Sequence, residues 1–144
     1  MRDDGVGIEV ARSLRRLNLG SNVLILERQA VDISIIDYAR GASKLVIVDA
    51  VKSGEPPGSV VRLSASESHT PILRAPLSHE QDLQDLLALA RKGGIRPPPI
   101  VVVGIEPADC TMGEGLSEKV TGALPHAIDQ VKDEVKGCAR RLSR

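Results

Sequence analysis

At residues 45–49 the chain reads Leu45-Val46-Ile47-Val48-Asp49, an unbroken apolar run that ends in a carboxylate. A short run of branched aliphatic residues is typical of a strand buried on both faces, as in a parallel sheet. Ligands of open α/β sheets bind at the carboxyl ends of such strands. This stretch therefore predicts a buried strand whose last residue, Asp49, lies at the edge of the sheet where a site would form.

The residues before this strand predict a helix, a strand and a second helix. The apolar positions over residues 6–17 share one helical face, and residues 23–26 form another short apolar run, which predicts a second buried parallel strand. Residues 31–40 are compatible with either a strand or a helix. We favour a helix because parallel strands on either side need a crossover connection.

The residues after this strand predict two more strands and two more helices. Residues 59–63 follow a Pro-Pro-Gly turn, and their link to the preceding strand is too short for a helical crossover, which predicts an antiparallel strand. A helix is predicted over 79–92 and a last buried strand over 100–103. A final helix is predicted from Ser117, with a kink or a new start at Pro125.

The composition is that of one globular domain with an aliphatic core. Of the 144 residues, 42% are hydrophobic and Tyr38 is the single aromatic residue, so Val, Ile, Leu and Ala must fill the core. Nineteen basic residues balance nineteen acidic ones, and no basic run contains aromatic residues, which argues against nucleic-acid binding. No apolar stretch approaches the roughly 20 residues of a membrane span, so a cytoplasmic protein is expected. Cys110 and Cys138 lack metal-site spacing and are expected to be two unrelated reduced thiols.

Two further candidate site residues lie at predicted helix starts. Asp3 and Asp4 precede the first helix; acidic residues favour that end, so one of them can be a cap while the other remains. His79 follows Ser78, which with Gln81 fits a capping box. The positive end of the helix dipole disfavours imidazolium, so His79 is expected to stay neutral, the state that a metal ligand requires.

Each candidate also has an ordinary structural interpretation. Asp49 can be a hydrogen-bonded turn residue and His79 an exposed residue of a first helical turn; the ordinary interpretation is stronger still for His69 and His126. However, Asp4, Asp49 and His79 fall at the same edge of the predicted sheet. Two carboxylates and one imidazole suit a divalent transition metal with coordination positions left open.

The order of several short motifs is more specific than any one of them. They are Met1-Arg2-Asp3-Asp4-Gly5-Val6-Gly7, Ile47-Val48-Asp49-Ala50, Pro57-Gly58, Ser78-His79 with Leu83 and Asp85-Leu86-Leu87, Val103-Gly104-Ile105-Glu106-Pro107, and Gly115-Leu116-Ser117 before Val120. With these motifs the chain resembles the hydrogenase maturation proteases, endopeptidases that trim the large subunit of nickel–iron hydrogenases. The resemblance implies a single domain over 1–144 with a three-layer α/β/α fold, in which a twisted, mostly parallel sheet contains one antiparallel strand.

The resemblance also assigns roles to the candidate residues. It implies that Asp4, Asp49 and His79 contact a metal, with Asp4 at a position that is Glu or Asp in the family. The metal is nickel already inserted in the substrate, the hydrogenase large-subunit precursor, from which the protease removes a C-terminal extension. A monomer with no permanent metal and no organic cofactor is expected. The nickel would polarise the scissile carbonyl, lower the pKa of an attacking water, or only position the peptide.

Two departures from the family pattern carry further expectations. The family's first strand and a glycine-asparagine turn normally precede a segment like residues 2–5, so we interpret Met1 as an internal methionine and expect the first, central strand to be missing. An in-frame stop codon just upstream would contradict this. Where many members have Asp-Gly-Gly-Thr, this chain has Glu27-Arg28-Gln29-Ala30, which keeps only the acidic character. A different hydrogenase substrate or a loss of turnover would follow, and the alternative function is a non-catalytic binding protein or chaperone for the same precursor.

Overall fold

Three strands and four helices form the part of the chain that the computed structural model describes, residues 5–27, 34–65, 87–108 and 115–142. The helices are α1 (Val6–Arg16), α2 (Ser34–Ala39), α3 (87–92) and α4 (Glu118–Leu142), and the strands are β1 (Leu45–Ala50), β2 (Val60–Ala65) and β3 (Ile100–Ile105).

The strand β3 lies in the middle of the sheet, in the order β1-β3-β2. It pairs parallel with β1, where Asp49 is opposite Gly104, and antiparallel with β2, where Val61 is opposite the same glycine. All six residues of β3 are buried, as its unbroken apolar run predicts for a central strand. The predicted antiparallel direction of β2 is confirmed, but β2 pairs with β3 and not with its predecessor.

The sheet separates two layers of aliphatic packing. Because side chains alternate between the faces of a strand, Val48 belongs to one face, which packs with Val10 of α1 and with α4. Val102 belongs to the other face, which packs with Leu87 of α3. Every buried hydrophobic residue in the described part of the chain is Val, Ile, Leu or Ala, and Tyr38 is 50% exposed. The three-layer α/β/α arrangement and the aliphatic core are thus confirmed.

The helix α3 ends where the sequence predicts, whereas α1 ends at Arg16, before Gly20-Ser21-Asn22, the turn residues that would be expected to terminate it. The last turn of α1 carries Arg15 and Arg16, whose positive charges favour a helix C-terminus. The helix α3 ends at Gly93-Gly94, where Gly94 has a φ of +75° and donates its N–H to the carbonyl of Arg91 at 3.1 Å. Glycine reaches this left-handed conformation without steric cost, so it terminates the helix.

The predicted buried strand at residues 23–26 is wrong. These residues belong to no strand, and Leu24 is 64% exposed. A strand needs a hydrogen-bonded neighbour, and in the described part of the chain β1 pairs with β3 alone. The segment is held from α1 instead, because Arg15 Nη2 donates to the carbonyl oxygen of Ile25 at 2.8 Å and Ile25 packs against the core.

The two remaining helices settle two alternatives that the sequence leaves open. The ambiguous segment before β1 is helical over Ser34–Ala39, as favoured. The helix α4 begins at Glu118 and continues through Pro125, so a new helix start at the proline is wrong. Buried Ala123 and Ala127 flank the exposed proline and hold both halves of α4 on the sheet. Within the described residues no helix combines the length and apolarity that crossing a bilayer requires.

A buried charge cluster joins α4 to the sheet. Glu134 is 6% exposed and accepts hydrogen bonds from Lys44, which precedes β1, and from Nε and Nη2 of Arg62 on β2, the latter at 3.4 Å. The hydrogen bond from Arg62, helped by Lys44 and opposed by burial, lowers the pKa of Glu134 to about 2. The same bond raises the pKa of Arg62. Glu134 follows buried Val131 by three residues, so the helical period places it on the inward face of α4, but no local pattern identifies Lys44 and Arg62 as its partners.

We expect this cluster to stabilise the fold at neutral pH and to lose its effect in acid. The pKa of Glu134 is about 2 in the fold against an ordinary 4.5, so the unfolded chain binds the proton first as the pH falls. The contribution, about 3 kcal/mol by linkage, is complete above pH 4.5 and lost as the pH falls through about 2. Urea unfolding between pH 7 and pH 3 should show a smaller pH dependence in Glu134→Gln than in the wild type. The exposed Glu55→Gln should keep the wild-type dependence, and equal slopes in both variants would contradict this assignment.

Candidate active site

Asp49 lies at the carboxyl edge of the sheet, one residue before the end of β1. It is 8% exposed, and its Oδ1 accepts the N–H of Ala50 at 2.8 Å. A carboxylate with so little access to water requires hydrogen bonds of this kind. Because β1 and β3 are parallel, their carboxyl ends lie at the same edge, where open α/β sheets bind ligands.

The first turn of α1 lies directly against the backbone beside Asp49. A Cβ atom on Gly7 would lie 2.3 Å from the carbonyl oxygen of Val48 and 3.9 Å from the Cα of Asp49. No side chain fits there, so the helix can approach the strand this closely only through a glycine. The motif that begins the chain thus includes a contact that fixes α1 at the Asp49 end of β1.

Of the three predicted site residues, the structure describes Asp49 alone. Asp4 and His79 lie outside the described residues, as does His69, while His126 is exposed on α4. No group of three or more His, Cys, Asp or Glu side chains that could hold a metal occurs among residues 5–27, 34–65, 87–108 and 115–142. The convergence of Asp4, Asp49 and His79 stays a prediction.

A second buried carboxylate, which the sequence reasoning missed, lies at the same edge. Glu106 directly follows β3 and is 8% exposed. Its Oε2 accepts the backbone N–H of Ser53 at 2.6 Å and the hydroxyl of Ser53 at 2.9 Å, and its Oε1 accepts the N–H of Gly54 at 3.3 Å. The sequence signal for Glu106 is a carboxylate immediately after an apolar strand, and it is of the same kind as the signal for Asp49.

The main chain of Glu106 binds the far side of the same loop. Its N–H donates to the carbonyl oxygen of Ser59 and its own carbonyl oxygen accepts the N–H of Gly58, both at 2.9 Å. Side chain and backbone together hold both ends of the segment that connects β1 to β2. We call residues 51–59 the β1–β2 loop.

Two motif glycines are required by close contacts around this loop. Gly58 has a φ of +86°, and a Cβ there would lie 2.7 Å from the carbonyl oxygen of Lys119 in the first turn of α4. A Cβ on Gly104 would lie 2.5 Å from Cγ2 of Val51 and 3.0 Å from Cγ2 of Val61. These glycines let the loop, the sheet and α4 pack without space for a side chain.

The departure at residues 27–30 is described only at Glu27. Its Oε1 lies 3.6 Å from Nε of Arg12 and 3.5 Å from Nη1 of Arg15, both on α1. Both arginines are about half exposed, so each ion pair contributes less than about 1 kcal/mol. Residues 28–30 lie outside the described part of the chain.

An apolar groove lies remote from Asp49. It is formed by α2, α3, Leu45 and residues 95–98. Leu45 is the first residue of β1, so the groove lies at the amino end of the strand and Asp49 at the other. The groove therefore takes no part in the candidate site.

Comparison with known proteins agrees with the resemblance that the motifs carry. The sequence model of the hydrogenase maturation proteases matches residues 8–134. The hydrogenase expression/formation protein HupD of Thiocapsa roseopersicina is 29% identical, and the match covers 88% of this chain. The chain spans 61% of the length of that relative.

Solved structures share the fold. The hydrogenase maturating endopeptidase HybD from Escherichia coli matches with a TM-score of 0.80 at 22% identity, over 95% of this chain and 86% of that one. The [NiFe] hydrogenase maturation protease HybD from Thermococcus kodakarensis matches with a TM-score of 0.73 at 23% identity, over 94% and 91% of the two chains. Since the family model covers most of the sequence and these structures share its fold, the chain belongs to the hydrogenase maturation protease family.

Proposed function

We propose that the protein is an endopeptidase that removes the C-terminal extension of a nickel–iron hydrogenase large-subunit precursor once nickel has been inserted. Membership of the hydrogenase maturation protease family supports the reaction class. The observation that carries the proposal is the buried carboxylate of Asp49 at the carboxyl edge of the sheet. The nickel is part of the substrate, so the protein needs no resident metal and no organic cofactor.

In this proposal Asp4, Asp49 and His79 together contact the nickel. Carboxylate and imidazole are both suitable ligands for a divalent transition metal. Asp4 precedes Gly7 by three residues, so peptide geometry keeps their Cα atoms within about 11 Å of each other. The contact of Gly7 with Val48 therefore supports a position for Asp4 within reach of Asp49.

In this proposal, cleavage depends on where the bound nickel places the scissile peptide of the precursor. When the three side chains complete its coordination, the scissile peptide beside the metal is fixed at the edge of the sheet. Nickel can then polarise the scissile carbonyl or lower the pKa of the attacking water, or it can serve only to position the peptide. In each case the protease distinguishes a loaded precursor from an empty one by the ligands it offers.

The test compares nickel-loaded with nickel-free precursor. We expect mass spectrometry to show release of the C-terminal extension from the loaded form only, because nothing else joins an empty precursor to Asp4, Asp49 and His79. Equal cleavage of both forms would contradict nickel recognition. If the protein binds the precursor but cleaves neither form, the alternative function, a non-catalytic binding protein or chaperone, is the correct one. The departure from the family pattern at residues 27–30 favours this alternative.

A further inference from the structure

The β1–β2 loop begins two residues after Asp49 and is held by the side chain of Glu106. We propose that Glu106 is a positioning residue: by holding this loop it orients the Asp49 carboxylate for substrate. This role deepens the proposed function and rests on it. Glu106 itself lies beyond the end of β3 and is not one of the residues proposed to contact nickel.

Four hydrogen bonds join the first half of the loop to the end of β3. The N–H of Val51 donates to the carbonyl oxygen of Ile105 at 3.0 Å. The carboxylate of Glu106 then accepts two hydrogen bonds from Ser53 and one from Gly54. The path of the chain after Asp49 is therefore set by Ile105 and Glu106.

This path determines the direction of the backbone N–H of Ala50, which the Asp49 carboxylate binds. Oδ1 of Asp49 accepts the N–H of Ala50, which is the residue immediately before Val51. A change in the backbone at Val51 turns the neighbouring peptide units, including the one that carries this N–H. On the other side, Gly7 presses against the carbonyl of Val48, so β1 cannot shift to compensate.

The carboxylate of Glu106 is suited to fixing the geometry of the loop residues that it binds. Burying a carboxylate costs free energy that an apolar side chain of similar size does not cost. Its three hydrogen bonds are charge-assisted and directional, and they all go to two adjacent residues, Ser53 and Gly54. An apolar residue could fill the same space, but it could not fix the direction of these N–H groups.

The chain offers a matched control in Glu134. It is as buried as Glu106, at 6% against 8% exposed, and it also accepts several hydrogen bonds. However, its partners are the side chains of Lys44 and Arg62, and it joins α4 to the sheet. Loss of its carboxylate should lower stability without reaching the β1–β2 loop.

The experiment measures kcat/KM for nickel-loaded precursor in Glu106→Leu, Glu106→Gln and Glu134→Leu, at a temperature where circular dichroism shows each variant folded. Groups that orient a metal-contacting side chain typically contribute about 10- to 100-fold to activity, and we expect a loss of this size in Glu106→Leu. Glu106→Gln keeps an oxygen acceptor for Ser53 and should recover most of the activity. Glu134→Leu should lower the Tm but keep the wild-type kcat/KM. Equal kcat/KM values for the two Leu variants would overturn the proposal.

A milder variant covers the case in which Glu106→Leu does not fold. Ser53→Ala removes one donor from an exposed residue and should lower kcat/KM in the same direction, by less. A wild-type kcat/KM in Ser53→Ala would then overturn the positioning role.

Amide hydrogen exchange separates this inference from the proposed function. If the wild type fails to cleave nickel-loaded precursor, the proposed function is wrong whatever the variants do. The Ala50 amide should still exchange faster in Glu106→Leu, or in Ser53→Ala, than in Glu134→Leu, because its bond to Asp49 depends on the loop. Equal exchange rates at Ala50 would overturn the positioning role independently of activity.

Discussion

Cleavage of nickel-loaded precursor is expected to fall at least about 100-fold in Asp49→Asn or in His79→Ala, since even groups that only orient metal ligands contribute about 10- to 100-fold. Asp49→Asn keeps the size of the side chain and an oxygen acceptor for the N–H of Ala50. The change therefore removes the negative charge while retaining the local hydrogen bond. The alanine in the second variant removes the imidazole. The measurement is the rate of release of the C-terminal extension from purified precursor, followed by mass.

Exposed residues of α4 provide matched controls. Asp129→Asn and His126→Ala make the same chemical changes at exposed positions of this helix, which the proposed site does not include. Both should retain wild-type cleavage. Equal activity in His79→Ala and His126→Ala would exclude His79 from the site. Full activity in Asp49→Asn would show that the buried carboxylate of Asp49 does not support the proposed function.

Gly7→Ala is expected to destabilise the protein by about 2 kcal/mol or more, the cost typical of forcing an atom into a packed interior. The new Cβ would lie 2.3 Å from the carbonyl oxygen of Val48, and a backbone carbonyl in the sheet cannot move aside as a flexible side chain can. Either α1 or β1 must shift, and both contribute to the core. Urea unfolding monitored by circular dichroism measures the loss.

The control is a glycine of α4 with open space around it. Apart from its chain neighbours and the adjacent backbone of α4, no heavy atom of the described residues lies within 4 Å of the position that a Cβ on Gly122 would occupy. Gly122→Ala should therefore raise the free energy of unfolding by about 1 kcal/mol, the ordinary difference between the two residues inside a helix. Stabilisation by Gly7→Ala as well would contradict the close approach of α1 to β1.

Local apolar runs predict the strands at residues 45–49 and 100–103, although the structure extends each strand by one or two residues. Burial is predicted correctly for β3, whose six residues are all buried, but residues 45–48 of β1 are only half-buried because β1 lies at the edge of the described sheet. The run at 23–26 looks the same in the sequence but forms no strand. Strand formation depends on a hydrogen-bonded neighbour, and a local pattern contains no information about neighbours.

In the candidate site, too, local sequence patterns predict some features, while others depend on residues distant in the sequence. The position of Asp49 at the edge of the sheet follows directly from the strand before it, and the structure places it there. The clusters around Glu106 and Glu134 depend on partners more than 50 residues away in the chain, Ser53 and Arg62. No periodicity indicates such partners, although the motif that contains Glu106 did point to its region.

The position of β3 has a consequence for how the protein acquires its fold. Within the described sheet, β1 and β2 each pair with β3 and not with each other, yet β3 is the last strand in the sequence. A ribosome therefore releases two strands well before the partner that both require. Pairings so distant in sequence form slowly, and unpaired strands are prone to aggregate. The sheet can close only after Ile105 has left the exit tunnel, so nascent chains are expected to need protection by chaperones until then.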